Sequence, residues 1–254
     1  MEVFVDTSII KKEPKFDWRP LAVFGGGFLL EAILQIVLAG VDKNPSVINT
    51  YDSLSWLLGK VAAIILVAVI SRKRVAECSL QTKQHFGKYF LYVLIAFGVF
   101  FLFDEGTAYY QQFMDKILNI GETTNQEAIY KYFEGSRTAL NYIILFLTIV
   151  IAAPLLEELE YRELIFRTFR GMHWTVPLII SSLLFGLVHM QAFTLQEFYY
   201  FPIYFIPGLA LGLIYHYSKN NFWTNFAVHS AINLIGFVLI VINMLNNTGG
   251  GISI

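Results

Sequence analysis

Cysteine and charged residues are scarce in this sequence of 254 residues, and each scarcity excludes a class of protein. Cys78 is the single cysteine, so neither an internal disulfide nor a thiolate metal cluster is possible. Charged residues make up 15% of the chain, against about 25% in soluble domains. The net charge of −1 provides no basic excess, which argues against a nucleic-acid partner.

Apolar residues are abundant, at 56% of the chain, and the mean hydropathy is +0.57. A membrane-spanning helix needs about 20 mostly apolar residues, and about seven stretches meet this need. They are Pro20–Gly40, Ser53–Ser71, Tyr89–Phe103, Leu140–Leu156, Val176–Phe193, Phe198–Tyr217 and Phe222–Leu245. A partly embedded helix in the polar connection Asp104–Arg137 would add an eighth element. The predicted fold is therefore all-α, a polytopic transmembrane bundle of about seven to eight spans.

The distribution of lysine and arginine predicts a cytosolic N-terminus in the cell membrane. Thirteen of these cations lie near span ends on the side of the membrane that holds the N-terminus, and four lie on the opposite side. The thirteen are Lys11, Lys12, Lys15, Arg19, Arg72, Lys73, Arg74, Lys83, Lys88, Arg162, Arg167, Arg170 and Lys219, and the four are Lys43, Lys116, Lys131 and Arg137. The N-terminus has no signal-peptide pattern, so the first span is expected to serve as its own insertion signal.

Two opposite charges lie at matching depth in the first two spans. Glu31 is about 18 Å into span 1, and Lys60 is about 10 Å from the opposite face in span 2. In a hydrocarbon core roughly 30 Å thick these depths nearly coincide. We therefore predict a structural ion pair between the two helices.

A denser charged run, Glu157–Glu163, follows the fourth apolar stretch. Glu158 and Arg162 are spaced i, i+4 and can pair on one helix face, while Glu157 points about 100° away. The alternative is an amphipathic interfacial helix with a solvated charge run, which Arg167 and Arg170 also fit.

Single polar groups occupy two later apolar helices. A lone histidine such as His189 is more often a packing residue than a catalytic one. His229 and Asn233, again spaced i, i+4, can equally form interhelical hydrogen bonds. Their joint occurrence with the carboxylates nevertheless makes a credible hydrolytic set: a carboxylate accepts a proton from water, a neutral histidine orients it, and a second histidine with an amide stabilises an oxyanion.

These residues resemble the motif set of the CAAX protease and bacteriocin-processing family, the Abi family, which includes the Ras-converting endopeptidase type. Its pattern is EExxxR, then FxxxH, then HxxxN. The matching residues are Glu157, Glu158 and Arg162, then Phe185 and His189, then His229 and Asn233. The resemblance covers roughly Leu140–Leu245, and the compact chain looks more like a bacterial member.

The resemblance implies a glutamate-dependent intramembrane endopeptidase. It implies that Glu157 is the general base, that His189 shares the catalytic water, and that His229 and Asn233 form the oxyanion hole. Glu158 and Arg162 are expected to pair, and Phe185 to pack beneath the site. No cofactor is expected, although zinc held by Glu157, His189 and His229 is an alternative with an open coordination position.

The implied partners are the lipid bilayer and a peptide or lipidated-protein substrate. Eukaryotic and archaeal members of the family are tied to cleavage after a prenylated cysteine. Bacterial members are tied to bacteriocin immunity, peptide maturation and membrane sensor kinases. Two other functions stay open: a non-catalytic regulator or immunity protein that binds a partner, and a proton-linked transporter.

The domain organisation follows from the spans and from the resemblance. Residues 1–19 form a cytosolic tail, and residues 20–137 hold accessory helices and the polar loop. Residues 138–245 form the catalytic core, and residues 246–254 form a flexible tail. The predicted boundaries put Glu157 near the cytosolic interface and His189 about 20 Å deep, too far apart to share a water. Since boundaries are the least reliable part of such a prediction, we expect that span 4 runs past Glu158 or that span 5 starts deeper.

Overall fold

The computed structural model describes residues 16–39, 49–118, 123–190, 192 and 194–248. Most of the predicted tails 1–19 and 246–254 lies outside these residues. Four cations used to predict the orientation also lie outside them, namely Lys11, Lys12, Lys15 and Lys43. So do two predicted span ends, Gly40 and Phe193.

The described chain forms nine helices, with no β-strand among the residues described. They are α1 (Trp18–Ala39), α2 (Thr50–Ile70), α3 (Arg72–Gln84), α4 (Phe86–Leu118), α5 (Thr124–Gly135), α6 (Ala139–Thr168), α7 (Thr175–His189), α8 (Leu195–Tyr217) and α9 (Phe222–Thr248). Six are long and apolar enough to cross a membrane, and α7 is a shorter apolar helix. The chain is a multi-pass membrane protein, and the prediction of an all-α bundle of about seven spans is confirmed.

Side-chain caps set the start of four helices. Asn49 and Asp52 form a reciprocal capping box at the start of α2. Before α5, α6 and α8, the hydroxyls of Thr123, Thr138 and Thr194 each accept a hydrogen bond from the backbone N–H three residues later. These bonds satisfy backbone donors that a helix start leaves without a partner.

The two short polar helices lie at opposite ends of the bundle. In α3, Arg74 donates to the carbonyl of Asn220 in the turn between α8 and α9, at 2.9 Å. In α5, the backbone N–H of Thr124 donates to Glu197 at the other end of α8, at 3.1 Å. The polar connection predicted over 104–137 is thus divided, since α4 continues to Leu118 and α5 follows it. Whether α5 is partly embedded stays a prediction.

The centre of the bundle is α6. In the most apolar stretch of 18 residues of α6, 56% is buried, against at most 33% in the corresponding stretches of the other long helices. Two π-helical stretches interrupt it, Leu147–Ala152 and Glu158–Leu164, and Pro154 lies between them. Such wider turns in an α-helix often occur at functional sites.

The predicted end of the fourth span at Leu156 is wrong, because α6 continues to Thr168. The expectation that this span runs past Glu158 is confirmed. In a hydropathy pattern a charged run predicts the end of a span, but here these charged residues are buried against other helices. Glu157 therefore lies about 16 Å from the end of α6, and His189 lies about 21 Å from the start of α7. The predicted difference in depth between the two residues falls from about 20 Å to about 5 Å once the helix is extended.

Candidate active site

The first predicted motif lies in the middle of α6, at the start of its second π-helical stretch. All residues from Glu158 to Leu164 are buried. Arg162 Nε lies 3.4 Å from Glu158 Oε2, which confirms the predicted i, i+4 pair. The alternative of a solvated interfacial helix is wrong, because neither partner of this ion pair has any exposed side-chain surface.

Arg162 also contacts the neighbouring helices. Its guanidinium lies 4.6 Å from the centre of the Phe185 ring, and Nη2 donates to the carbonyl of Gly208 at 3.2 Å. Phe185 thus packs against Arg162, and its supporting role in the site stays a prediction. The arginine thus joins α6 to α7 and α8.

His229 of α9 contacts both glutamates of the motif. Its Nδ1 lies 2.9 Å from Glu158 Oε1, and its Nε2 lies 3.7 Å from Glu157 Oε2. Glu158 also interacts with Arg162 and accepts a bond from Asn225 at 3.1 Å, both at Oε2, and these contacts favour its ionised form. Because an ionised carboxylate only accepts hydrogen bonds, the proton shared with Glu158 belongs to His229 Nδ1.

Asparagines flank His229 one turn away on either side. Asn225 Nδ2 donates to Glu158 and, at 2.6 Å, to the carbonyl of Leu211. Asn233 Nδ2 donates at 2.9 Å to the carbonyl of Ile149, which lies in the first π-helical stretch. An amide NH₂ has two donors, so one N–H of Asn233 is left for another acceptor.

His189 is the last residue of α7, and its ring lies between two aromatic rings. The Phe185 ring centre is 4.5 Å away, and the Tyr204 ring is stacked at 5.2 Å. His189 Nδ1 lies 2.7 Å from the carbonyl of Phe185. A carbonyl only accepts, so Nδ1 carries the proton, and Nε2 of the neutral ring has a free lone pair.

A cavity of about 660 Å³ brings the predicted catalytic residues together. It is lined by Glu157, His189, His229 and Asn233, and Phe185 also lies on its wall. The fully buried pair of Glu158 and Arg162 contacts two of these lining residues, His229 and Phe185. All seven predicted site residues therefore lie in or directly around one cavity.

Several residues of the site were missed in the sequence. Asn225 precedes His229 by four residues, so the i, i+4 stripe through His229 and Asn233 extends back to it. The stacking of Tyr204 on His189 has no comparable signal, because it depends on how α8 packs against α7. Glu31 and Lys60, predicted only as an ion pair, line the same cavity.

The donor set fits a metal ion poorly. In the described part of the chain, no three His, Cys, Asp or Glu side chains are grouped so that they could hold one. His229 Nδ1 is engaged by Glu158 and His189 Nδ1 by a backbone carbonyl, so only the Nε2 atom of each ring could bind a metal ion. The metal-free reaction nevertheless stays a prediction.

A separate charged cluster lies away from the cavity, between α3 and α6. Glu163 Oε2 accepts a bond from Tyr215 at 2.8 Å and lies 3.4 Å from Arg74 Nε. Burial opposes the charge of Arg74, but nearby anionic groups, Glu163 foremost, outweigh it and raise the pKa of Arg74. We regard this cluster as a structural connection.

Residues 139–235 match the family model of type II CAAX prenyl endopeptidase Rce1-like proteins. This part of the chain belongs to the CAAX protease family. The match begins with α6 and ends within α9, so it contains all seven residues of the CAAX protease motifs.

Three bacterial relatives extend the comparison. An uncharacterized protein of Mycoplasma capricolum is 31% identical over 88% of this chain and 65% of its own length. Two UPF0177 proteins of Lactococcus lactis are similar: YvdC is 29% identical over 70% of this chain and 64% of its own length, and YxdF is 40% identical over 34% and 44%. The matches thus cover less than two thirds of each relative. No solved structure is significantly similar to this chain.

Proposed function

We propose that this chain is an intramembrane endopeptidase that hydrolyses a peptide bond of a membrane-associated peptide or protein with an activated water. The observation that carries the proposal is that Glu157, His189, His229 and Asn233 line one cavity. Membership of residues 139–235 in a protease family supports it.

The first step is removal of a proton from water. Glu157 is the candidate base, because its side chain lines the cavity, whereas the carboxylate of Glu158 is already bound by Asn225 and Arg162. Nε2 of His189 can accept the second hydrogen of the same water and so hold it for attack. The hydroxide adds to the peptide carbonyl, and the proton on Glu157 passes to the departing amine.

The second requirement is stabilisation of the negative oxygen formed by this attack. Since Nδ1 of His229 donates to Glu158, its Nε2 can donate only when the ring is an imidazolium. Once Glu157 carries the proton from water, the charges of Glu158 and of the oxyanion balance those of Arg162 and of this imidazolium. His229 Nε2–H and the second N–H of Asn233 are the proposed oxyanion donors.

Glu158, Arg162 and Phe185 are proposed to hold these groups in place. Glu158 fixes the orientation of His229, and the Phe185 ring packs against both Arg162 and His189. Orientation of this kind matters because a displacement of about 1 Å can cost about 100-fold in rate.

The proposed partners are the bilayer and a peptide or lipidated-protein substrate. A bacteriocin system or a membrane sensor kinase is a further proposed partner. The cavity volume falls within the usual range of ligand sites, about 300–1,000 Å³. Prenylated and unmodified peptides both need testing.

The test is cleavage of quenched peptides by detergent-purified protein. Wild type is compared with Glu157→Gln and His189→Ala, and each assay is run with and without a zinc chelator. We expect cleavage by wild type, loss of at least about 100-fold in both variants, and no effect of the chelator. Matched controls are Glu163→Gln, a buried glutamate on the same helix, and His173→Ala, an exposed histidine.

Each other outcome points elsewhere. Chelator-sensitive cleavage that zinc restores would favour the metalloprotease. Full activity in Glu157→Gln would rule out the proposed base. Absence of cleavage across the library, together with neutral variants in the native host, would favour a regulator that acts by binding.

A further inference from the structure

The cavity has a second charged wall, built by α1, α2 and the middle of α6. Lys60 Nζ lies 3.0 Å from Glu31 Oε1, so the ion pair predicted between the first two spans is confirmed. Gln35 donates to the same carboxylate oxygen at 3.1 Å. Glu31 is therefore well satisfied by its own neighbours.

Glu160 lies on the same wall, and one of its two carboxyl oxygens lacks such a partner. Its side chain lines the cavity, yet the residue is only 3% exposed, and Oε1 has no hydrogen-bond partner among the described residues. A Cβ on Gly27 of α1 would lie 2.7 Å from that oxygen, so the glycine leaves the room that the carboxyl group occupies. The motif EExxxR leaves position 160 unspecified.

Carboxyl groups outnumber the side chains of lysine and arginine on the described cavity wall. Carboxyl groups of Glu31, Asp104, Glu157 and Glu160 line it, and Lys60 is the only lysine or arginine among its described lining residues. That lysine is already paired with Glu31. A buried carboxyl group without a partner is costly, and an ionisable residue facing a cavity within the membrane is by default a functional candidate.

We propose that Glu160 binds a cationic side chain of the substrate, a lysine or an arginine, close to the scissile bond. The proposal rests on the proposed peptidase function and names a feature of its substrate. Glu160 follows Glu157 by three residues, a helical rise of about 4.5 Å. An extended peptide advances about 3.3 Å per residue, so the cation belongs one or two residues from the cleaved bond.

The experiment uses quenched peptides of alanine and leucine that carry one lysine, one norleucine or one glutamate, with that position moved along the peptide. Norleucine has the length of lysine without its charge. In wild type, we expect kcat/KM for the best lysine peptide to exceed that of its norleucine twin by about 10- to 100-fold, the usual worth of a hydrogen bond to a charged group. The glutamate peptide is expected to be the poorest.

The decisive quantity is the lysine-to-norleucine ratio in the variants. In Glu160→Gln the ratio falls towards one, whereas in the control Glu163→Gln it stays as in wild type. Glu163 is equally buried on the same helix, but it faces Arg74 and Tyr215. A ratio near one in wild type, or an unchanged ratio in Glu160→Gln, overturns the proposal.

A binding measurement separates this proposal from the peptidase itself. Fluorescent versions of the same peptides are titrated into Glu157→Gln and into the double variant Glu157→Gln/Glu160→Gln. A lysine preference that disappears in the double variant, with no cleavage by wild type, supports the cation site and contradicts the peptidase. Cleavage without any charge preference contradicts the cation site alone.

Discussion

The two charged walls of the cavity differ in how their charges are satisfied. On the wall between α6 and α9, Glu158 has three polar partners, Arg162, Asn225 and His229, and all four residues are buried. On the wall between α1 and α2, one ion pair retains some exposure, 11% for the lysine and 15% for the glutamate. The fully enclosed carboxylate of Glu158 is thus held by three polar partners, whereas the partly open one of Glu31 is held by a single cation and a glutamine.

The largest effect is expected where this network loses its cation. Arg162→Met leaves Glu158 buried without its ionic partner, which we expect to cost about 3–5 kcal/mol of unfolding free energy. Denaturation in mixed detergent micelles measures the loss. The double variant Glu158→Gln/Arg162→Met should recover part of it. Equal stability of Arg162→Met and wild type would contradict the network.

Asn225 offers a smaller test of the same wall. Asn225→Leu removes its bonds to Glu158 and to the Leu211 carbonyl, and we expect a loss of about 2 kcal/mol of unfolding free energy. The matched control is Thr224→Val at the neighbouring buried position. The Thr224 hydroxyl has no hydrogen-bond partner among the described residues, so this change should be nearly neutral. Equal losses in both variants would show that Asn225 only fills space.

The simpler wall is tested by exchanging its charges. Glu31→Lys and Lys60→Glu each place two like charges together, and each should lower the unfolding free energy by about 2 kcal/mol or more. The exchanged double variant should be more stable than either single variant. A double variant no better than both would mean that the pair contributes nothing through its charges.

The smallest effect concerns the glycines of α1. Gly26→Ala meets nothing within 4 Å and should stabilise the helix by about 0.5–1 kcal/mol. Gly27→Ala should lack this gain, because its new methyl group meets Glu160 Oε1. Thermal unfolding of both variants in one detergent measures the difference. The same gain in both would show that Glu160 moves aside freely.

The wall between α1 and α2 was predictable from depth alone, and the wall between α6 and α9 was not. Counting residues from the span ends places Glu31 and Lys60 at the same depth, because both helices cross the same hydrocarbon core. For the wall between α6 and α9, the motif pattern identified the residues, but the hydropathy pattern ended the span at Leu156. The hydropathy of one segment does not show that neighbouring helices bury the charged residues after Leu156.

The sequence by itself determined the all-α membrane bundle, the order of its spans, the residues of the three motifs and the pairing of Glu31 with Lys60. These follow from composition and from spacing along single helices, which are local properties. Only the tertiary structure decided that α6 runs on to Thr168, that Asn225 and Tyr204 join the site, and that Glu160 reaches the cavity with an oxygen unpaired within the described chain. The reason is that burial and pairing of a side chain depend on which other helices surround it, and that arrangement is not encoded in the spacing of any one segment.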